Sequence, residues 1–364
     1  MKKIVFLTTS LLIIISLFYT SCSQKKNPVF AKNNEGLTIV ARGDTSDISN
    51  DFYDNADTYE LPSTPLKIEG EIENPGTIDF SKLPLHSVIV KEAILDTSGN
   101  KFTGAFKYEG YSLYDILNTI RVKKANAKEF ERIIDMYVQV ENAKGEKVFL
   151  SWGELYYPVH RHEIIIATRV MRIVPSVTNE LWKLPEESKL IVSADLLTER
   201  NISAPAKIIV KSYPRSFPTK KGLKPNFSPE IKIYSENRLE ETLTGYPKDL
   251  QIQKYDAIFY GRGKGIHSTN PFTGILLKEV MAKYFKTTKE NLQKGIFLVI
   301  AKDGYRAVFT FSELMNRNDQ EEVLLLCRPE TKENGIFKLF PACDFFSDRA
   351  VKGISAIYFS INEK

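Results

Sequence analysis

Two stretches of this 364-residue chain follow one plan: NAKGEKVFLSWGEL at residues 142–155 and AKDGYRAVFTFSEL at residues 301–314. In each, a turn glycine, Gly145 or Gly304, stands nine residues before a glutamate, Glu154 or Glu313, that is followed by leucine. Upstream, YEGYSLYDIL (108–117) and FTGILLKEVM (272–281) each place a glycine before a helix-like apolar pattern. Two matching landmarks in the same order mark an internal repeat, so each copy is one structural unit. Asp303 has Lys144 as its counterpart, leaving only the glycine in common. The stretch therefore reads as a hairpin and the start of the next element rather than as a catalytic turn.

Within the first copy, LKIEGEI alternates with period two and ENPG follows as a turn signal. SVIVKEAIL, EIIIATRV and AKIIVKSY read as strands, and SLYDILNTI as an amphipathic helix entered at Ser112. The second copy runs in parallel, with PEIKIYS, DLQIQKYDAIFYG, VLLLCRP and ISAIYFS around the helical ILLKEVMAKYF. Strand-rich copies with one or two helices between β segments predict an α+β fold.

LKIEGEIENPGTIDFSKL, YEGYSLYDIL, TGILLKEVM and VIAKDGYRAVFTFSEL together resemble the molybdopterin-binding domain of sulfite-oxidase-type oxidoreductases. The resemblance implies two tandem sulfite-oxidase-like mixed α/β domains, at residues 64–210 and 230–364, with molybdopterin as the candidate cofactor. In that family a cysteine thiolate on the segment leading to the Gly-x-x-Leu helix ligates molybdenum, a soft ligand suited to such a metal. Here the corresponding segments, VKEAILDTSGNKFTGAFKYEG and KYDAIFYGRGKGIHSTNPFTG, hold no cysteine, and Cys327 and Cys343 come after the second hairpin. The expectation is the family's fold without its redox reaction, in a non-catalytic binding protein. The alternative is a molybdopterin-dependent oxidoreductase with atypical metal ligation.

Lys2 and Lys3, the apolar run IVFLTTSLLIIISLFY, and then Thr20, Ser21 and Cys22 have the order of a secretory signal. Small residues before Cys22 and the polar SQKKN after it read as a lipoprotein signal over residues 1–21. Lipid on Cys22 would anchor the chain in the cell envelope, facing the periplasm or the outside, without spanning the membrane. Residues 22–63 read as a polar tether, and 211–229, with four prolines, as a stiff linker. The formal charge of +5 is too mild for a nucleic-acid partner. The partners expected are the membrane, through the anchor, and a small anionic ligand or an envelope protein. Cys327 and Cys343 suit either a disulfide or reduced thiols in an exported chain.

Two loops carry candidate chemistry. In YGRGKGIHS, three glycines space Arg262, Lys264 and His267, whose cations and neighbouring amides suit a phosphate or carboxylate. The spacing matches neither a Rossmann fingerprint nor a P-loop, and in the resembled family this neighbourhood faces the pterin. In YYPVHRHEII, His160 and His162 stand at i and i+2, which on a strand point to one side and suit a shared metal. A metal needs a further ligand, for which Glu163 or the remote His86 is nominated. No Ser-His-Asp or Cys-His set can be assembled from sequence position.

Overall fold

The structure, a computed structural model, describes residues 36–40, 56–175, 177–224, 226–328 and 335–361. The leader and Cys22 lie outside these residues. Among the described residues 43% are strand and 12% helix, in small sheets arranged as a four-bladed β-propeller. The expected α+β, sulfite-oxidase-like fold is thereby corrected. The reason lies in segment length: the α-helices among the described residues run five or six residues each. Helices that short have no independent stability and serve here as caps on strand ends.

The two halves of the chain build one sheet plan twice. In the first half the order is Gly76–Thr77, Lys67–Gly70, Pro205–Ser212, Met136–Asn142, Lys147–Ser151. In the second it is Arg238–Leu243, Ile231–Ser235, Ile354–Ile361, Gly295–Ala301, Arg306–Thr310. In both, the second and third strands run parallel and the other pairs antiparallel. The last two strands are the hairpins of the repeated stretches, turned by Gly145 and Gly304, each with φ of 83°. That left-handed value explains why the glycine is the residue the two turns share.

Each half adds an antiparallel sheet. The first contains Ile164–Arg172 beside Gly99–Ser112, which pairs in turn with His86–Asp96. The second runs Gln253–Tyr255, Phe272–Leu276, Leu324–Cys327, Phe337–Phe340. A small hairpin, Phe259–Gly261 with Gly265–Ser268, stands apart from these sheets. Parts of the expected tether belong to the fold: Thr38–Val40 pairs with Thr58–Glu60, and that strand with Ile164–Arg172. The expected linker also packs down, with Tyr213 buried and Lys220 N donating to Asp303 O at 2.7 Å.

The halves meet where their repeated hairpins lie face to face. Tyr137, Phe149 and Tyr213 pack against Ile296, Leu298 and Val308. Each hairpin runs into a helix, Trp152–Tyr156 or Phe311–Met315, closed by a capping box of Ser151 with Glu154 or Thr310 with Glu313. The boxes also bond across the seam. Ser151 Oγ donates to Glu313 Oε2 at 2.7 Å, and Thr310 Oγ1 to Glu154 Oε1 at 3.1 Å.

Two buried arginines back the capping boxes. Arg200 pairs with Asp195 and Glu154 and donates to Thr310; Arg349 pairs with Asp344 and Glu313. They come from ADLLTER (194–200) and CDFFSDR (343–349), a further pair of copies with Asp five residues before Arg. Charges this deep persist because each is matched by a partner. Burial pushes the Glu154 carboxyl up to about 7, with Arg200 pulling the other way.

Candidate metal centre

Three chain segments end at one corner of the first half's antiparallel sheet. His86 opens its strand opposite Gly110, and Ser112 closes the next strand opposite Ile165. Ser112 is also the N-cap of the helix Leu113–Asn118, which sets Asp115 in the first turn. His162 lies in the turn leading into Ile164–Arg172. Strand register therefore gathers residues that are far apart in sequence.

The resulting cluster is compact. His86 Nε2 lies 2.7 Å from Asp115 Oδ2, and His162 Nδ1 lies 3.4 Å from the same oxygen. The two imidazoles stack with centroids 4.1 Å apart and an interplanar angle of 7°. One donor atom from each of the three residues falls within 4.8 Å of the others. Burial lowers the His162 pKa, with the neighbouring His86 adding to the effect and Asp115 opposing it. The three side chains are 23%, 17% and 41% exposed, so the corner is open to solvent on one side.

Neighbouring side chains hold the donors in place. Ser112 Oγ donates to Asp115 Oδ2 at 2.7 Å, so that carboxylate is oriented by its own helix cap. The Tyr114 ring meets His162 edge-on at 5.3 Å, and Arg161 both covers that ring and donates to its hydroxyl. Tyr114 in turn leans on Tyr156, which stacks on the buried Trp152 beside the seam. A cavity of about 410 Å³ opens over the corner, lined by His86, His160, His162, Glu163 and Ser193 among others.

The arrangement is unlike a hydrolytic triad. Ser112 is buried, its oxygen accepts the Asp115 amide, and both it and Asp115 approach the same His162 nitrogen. A serine nucleophile needs a histidine that faces the hydroxyl through one ring nitrogen and the carboxylate through the other.

The sequence-nominated residues separate. His162 joins the cluster with His86, whereas His160 lines the cavity outside it, because residues 160–162 form a loop and turn rather than a strand. Glu163 lines the same cavity, and its pKa is raised by burial. Asp115, which supplies the shared oxygen, has no mark in sequence beyond following the capping serine. Arg262, Lys264 and His267 do come together, lining a second cavity of about 790 Å³ to which Arg132 of the first half also contributes. Cys327 is half-buried and Cys343 buried, and burial pushes the Cys343 pKa far up.

No protein-family model matches the chain, and no curated protein matches it. Among the described residues, no helix is long and apolar enough to cross a membrane.

Proposed function

We propose that the protein is a lipid-anchored cell-envelope protein that binds a divalent transition-metal ion at His86, Asp115 and His162. The observation that carries the reading is the convergence of two stacked imidazoles on one carboxylate oxygen. A tetrahedral ion about 2.1 Å from each ligand places ligand atoms roughly 3.4 Å apart. The His162–Asp115 distance of 3.4 Å already fits. The His86 contact, a 2.7 Å hydrogen bond, has to open by less than about 1 Å, and the nearly parallel rings have to turn so that both ring planes meet at the ion. Two imidazoles with one carboxylate favour a borderline ion such as zinc or iron(II) over calcium or magnesium, which prefer all-oxygen sites. Three protein ligands beside an open cavity leave a coordination position for a water or a small ligand.

The anchor rests on the sequence around Cys22, and the intact mass of chain taken from the membrane fraction checks its acylation. With that protein, zinc should raise the melting temperature and calcium should not. The rise should vanish in His86→Ala and His162→Ala and survive in His160→Ala. An equal zinc response in all of these variants, or none in the wild type, would sink the reading.

A further inference from the structure

The second cavity carries an independent reading. Its cations come from three separate segments: Arg132, the hairpin loop with Arg262, Lys264 and His267, and Lys352 before the last strand. Two carboxylates lie among them, Asp303 and Asp348. Asp348 is already engaged, by Arg262 through contacts of 2.6 and 3.1 Å and by Arg132 at 3.1 Å, and its side chain is 8% exposed. Asp303 accepts the amide of Tyr305 within its own turn at 3.0 Å. Among the described residues, Lys264 and Lys352 make no ion pair, although both line the cavity and are exposed. The cavity therefore keeps unneutralised positive charge at its wall.

Three further features say what kind of anion fits. The amide oxygen of Asn226 is buried in the wall and meets no hydrogen-bond donor among the described residues. An orphaned buried acceptor costs roughly 1–3 kcal/mol, a penalty removed by a ligand or water that donates to it. A volume of about 790 Å³ is that of a site for an organic molecule, larger than a bare ion requires. Gly263, at the loop tip, has open space where a Cβ would stand, so the backbone there lies open to a bound group. At Gly261, by contrast, a Cβ would strike the His267 ring, which fixes that imidazole against the loop.

We propose that this cavity binds a phosphate monoester or diester, its oxyanion held by Lys264 and Lys352 and a neighbouring hydroxyl donating to Asn226 Oδ1. The same chemistry is offered by a soluble sugar or glycerol phosphate and by a phospholipid headgroup. Calorimetric titration of the full chain with glycerol 3-phosphate, beside binding to phosphatidylcholine vesicles with and without phosphatidylglycerol, distinguishes the two. Saturable binding of glycerol 3-phosphate, weakened about tenfold or more in the Lys264→Gln/Lys352→Gln double variant, supports the site with a soluble ligand. Binding confined to the phosphatidylglycerol vesicles and lost in the same variant supports it with a lipid ligand. Because both lysines are exposed and unpaired, the variant should keep the wild-type melting temperature. No binding of either probe, or equal binding by wild type and double variant, overturns the proposal.

Discussion

The two halves of the molecule agree at their seam and disagree at their corners. At the seam, Ser151, Glu154, Asp195 and Arg200 have Thr310, Glu313, Asp344 and Arg349 as counterparts, in both position and partner. At the corner, the first half has Ser112 opposite Ile165, and the second has Leu276 opposite Leu324. The capping serine is thus a leucine, and Leu276 makes no side-chain cap bond. Tyr114 and Asp115 become Lys278 and Glu279 in the matched helix, and Lys278 forms an ion pair with Glu322. One corner gathers two imidazoles and a carboxylate, and the other is a closed pair of opposite charges. The capping-box and arginine partners at the seam stay matched, and residues at the solvent-facing corners are free to take up separate chemistry.

The largest expected effect tests the matched part. Arg200→Ala and Arg349→Ala each leave two buried carboxylates without a counter-charge, a loss of about 3–5 kcal/mol. Urea unfolding of the full chain should show similar losses for both. A small effect at one arginine beside a large effect at the other would break the equivalence of the two halves.

A mismatch inside the seam gives the next effect. Gly153 occupies the place of Ser312, and a Cβ on Gly153 would run into the Arg349 guanidinium. Ser312 has room, and its hydroxyl donates to Leu292 O at 2.9 Å. Gly153→Ser, which makes the two capping turns identical in sequence at this position, should therefore cost about 1–3 kcal/mol in the same assay. A neutral result would mean that Arg349 moves aside without penalty.

The third effect is a pH slope. Glu154 titrates near 7 in the folded protein against its ordinary 4.5, so folding takes up a proton between those values. Its stabilising contribution is complete below about 4.5 and is lost as pH rises to about 7. Relative to Glu154→Gln, wild-type stability should fall across that window by up to about 1.4 kcal/mol per pH unit. Parallel stability curves for the two proteins would show that Arg200 keeps Glu154 ionised throughout.

The hairpins and the repeat were legible in sequence because both are local. A left-handed glycine, apolar alternation and a Ser/Thr-x-x-Glu capping box all fall within fourteen residues. The helix at Leu113–Asn118 was legible for the same reason, through Ser112. The fold class was misread because short helical patterns were given the weight of packed helices, whereas they only cap strands. The metal corner was half legible. His162 was nominated with His160, and the remote His86 only as one of two further ligands beside Glu163; Asp115 was not, because the registers of two strand pairs that bring these residues together are not encoded by the residues on either side. The paired ADLLTER and CDFFSDR segments were readable as copies and were missed, since their shared Asp and Arg sit among unlike apolar residues.

The reciprocal capping boxes have the form of a self-complementary contact. What Ser151 does for Glu313, Thr310 does for Glu154, as in a twofold dimer whose subunits present the same patch to each other. A single unit carrying this surface would have its partner in a second copy of itself. Joining two units in one chain keeps the contact and removes a constraint on dimers of identical subunits, in which every residue change appears twice. That is what lets His86, Asp115 and His162 stand at one corner and Lys278 with Glu322 at the other.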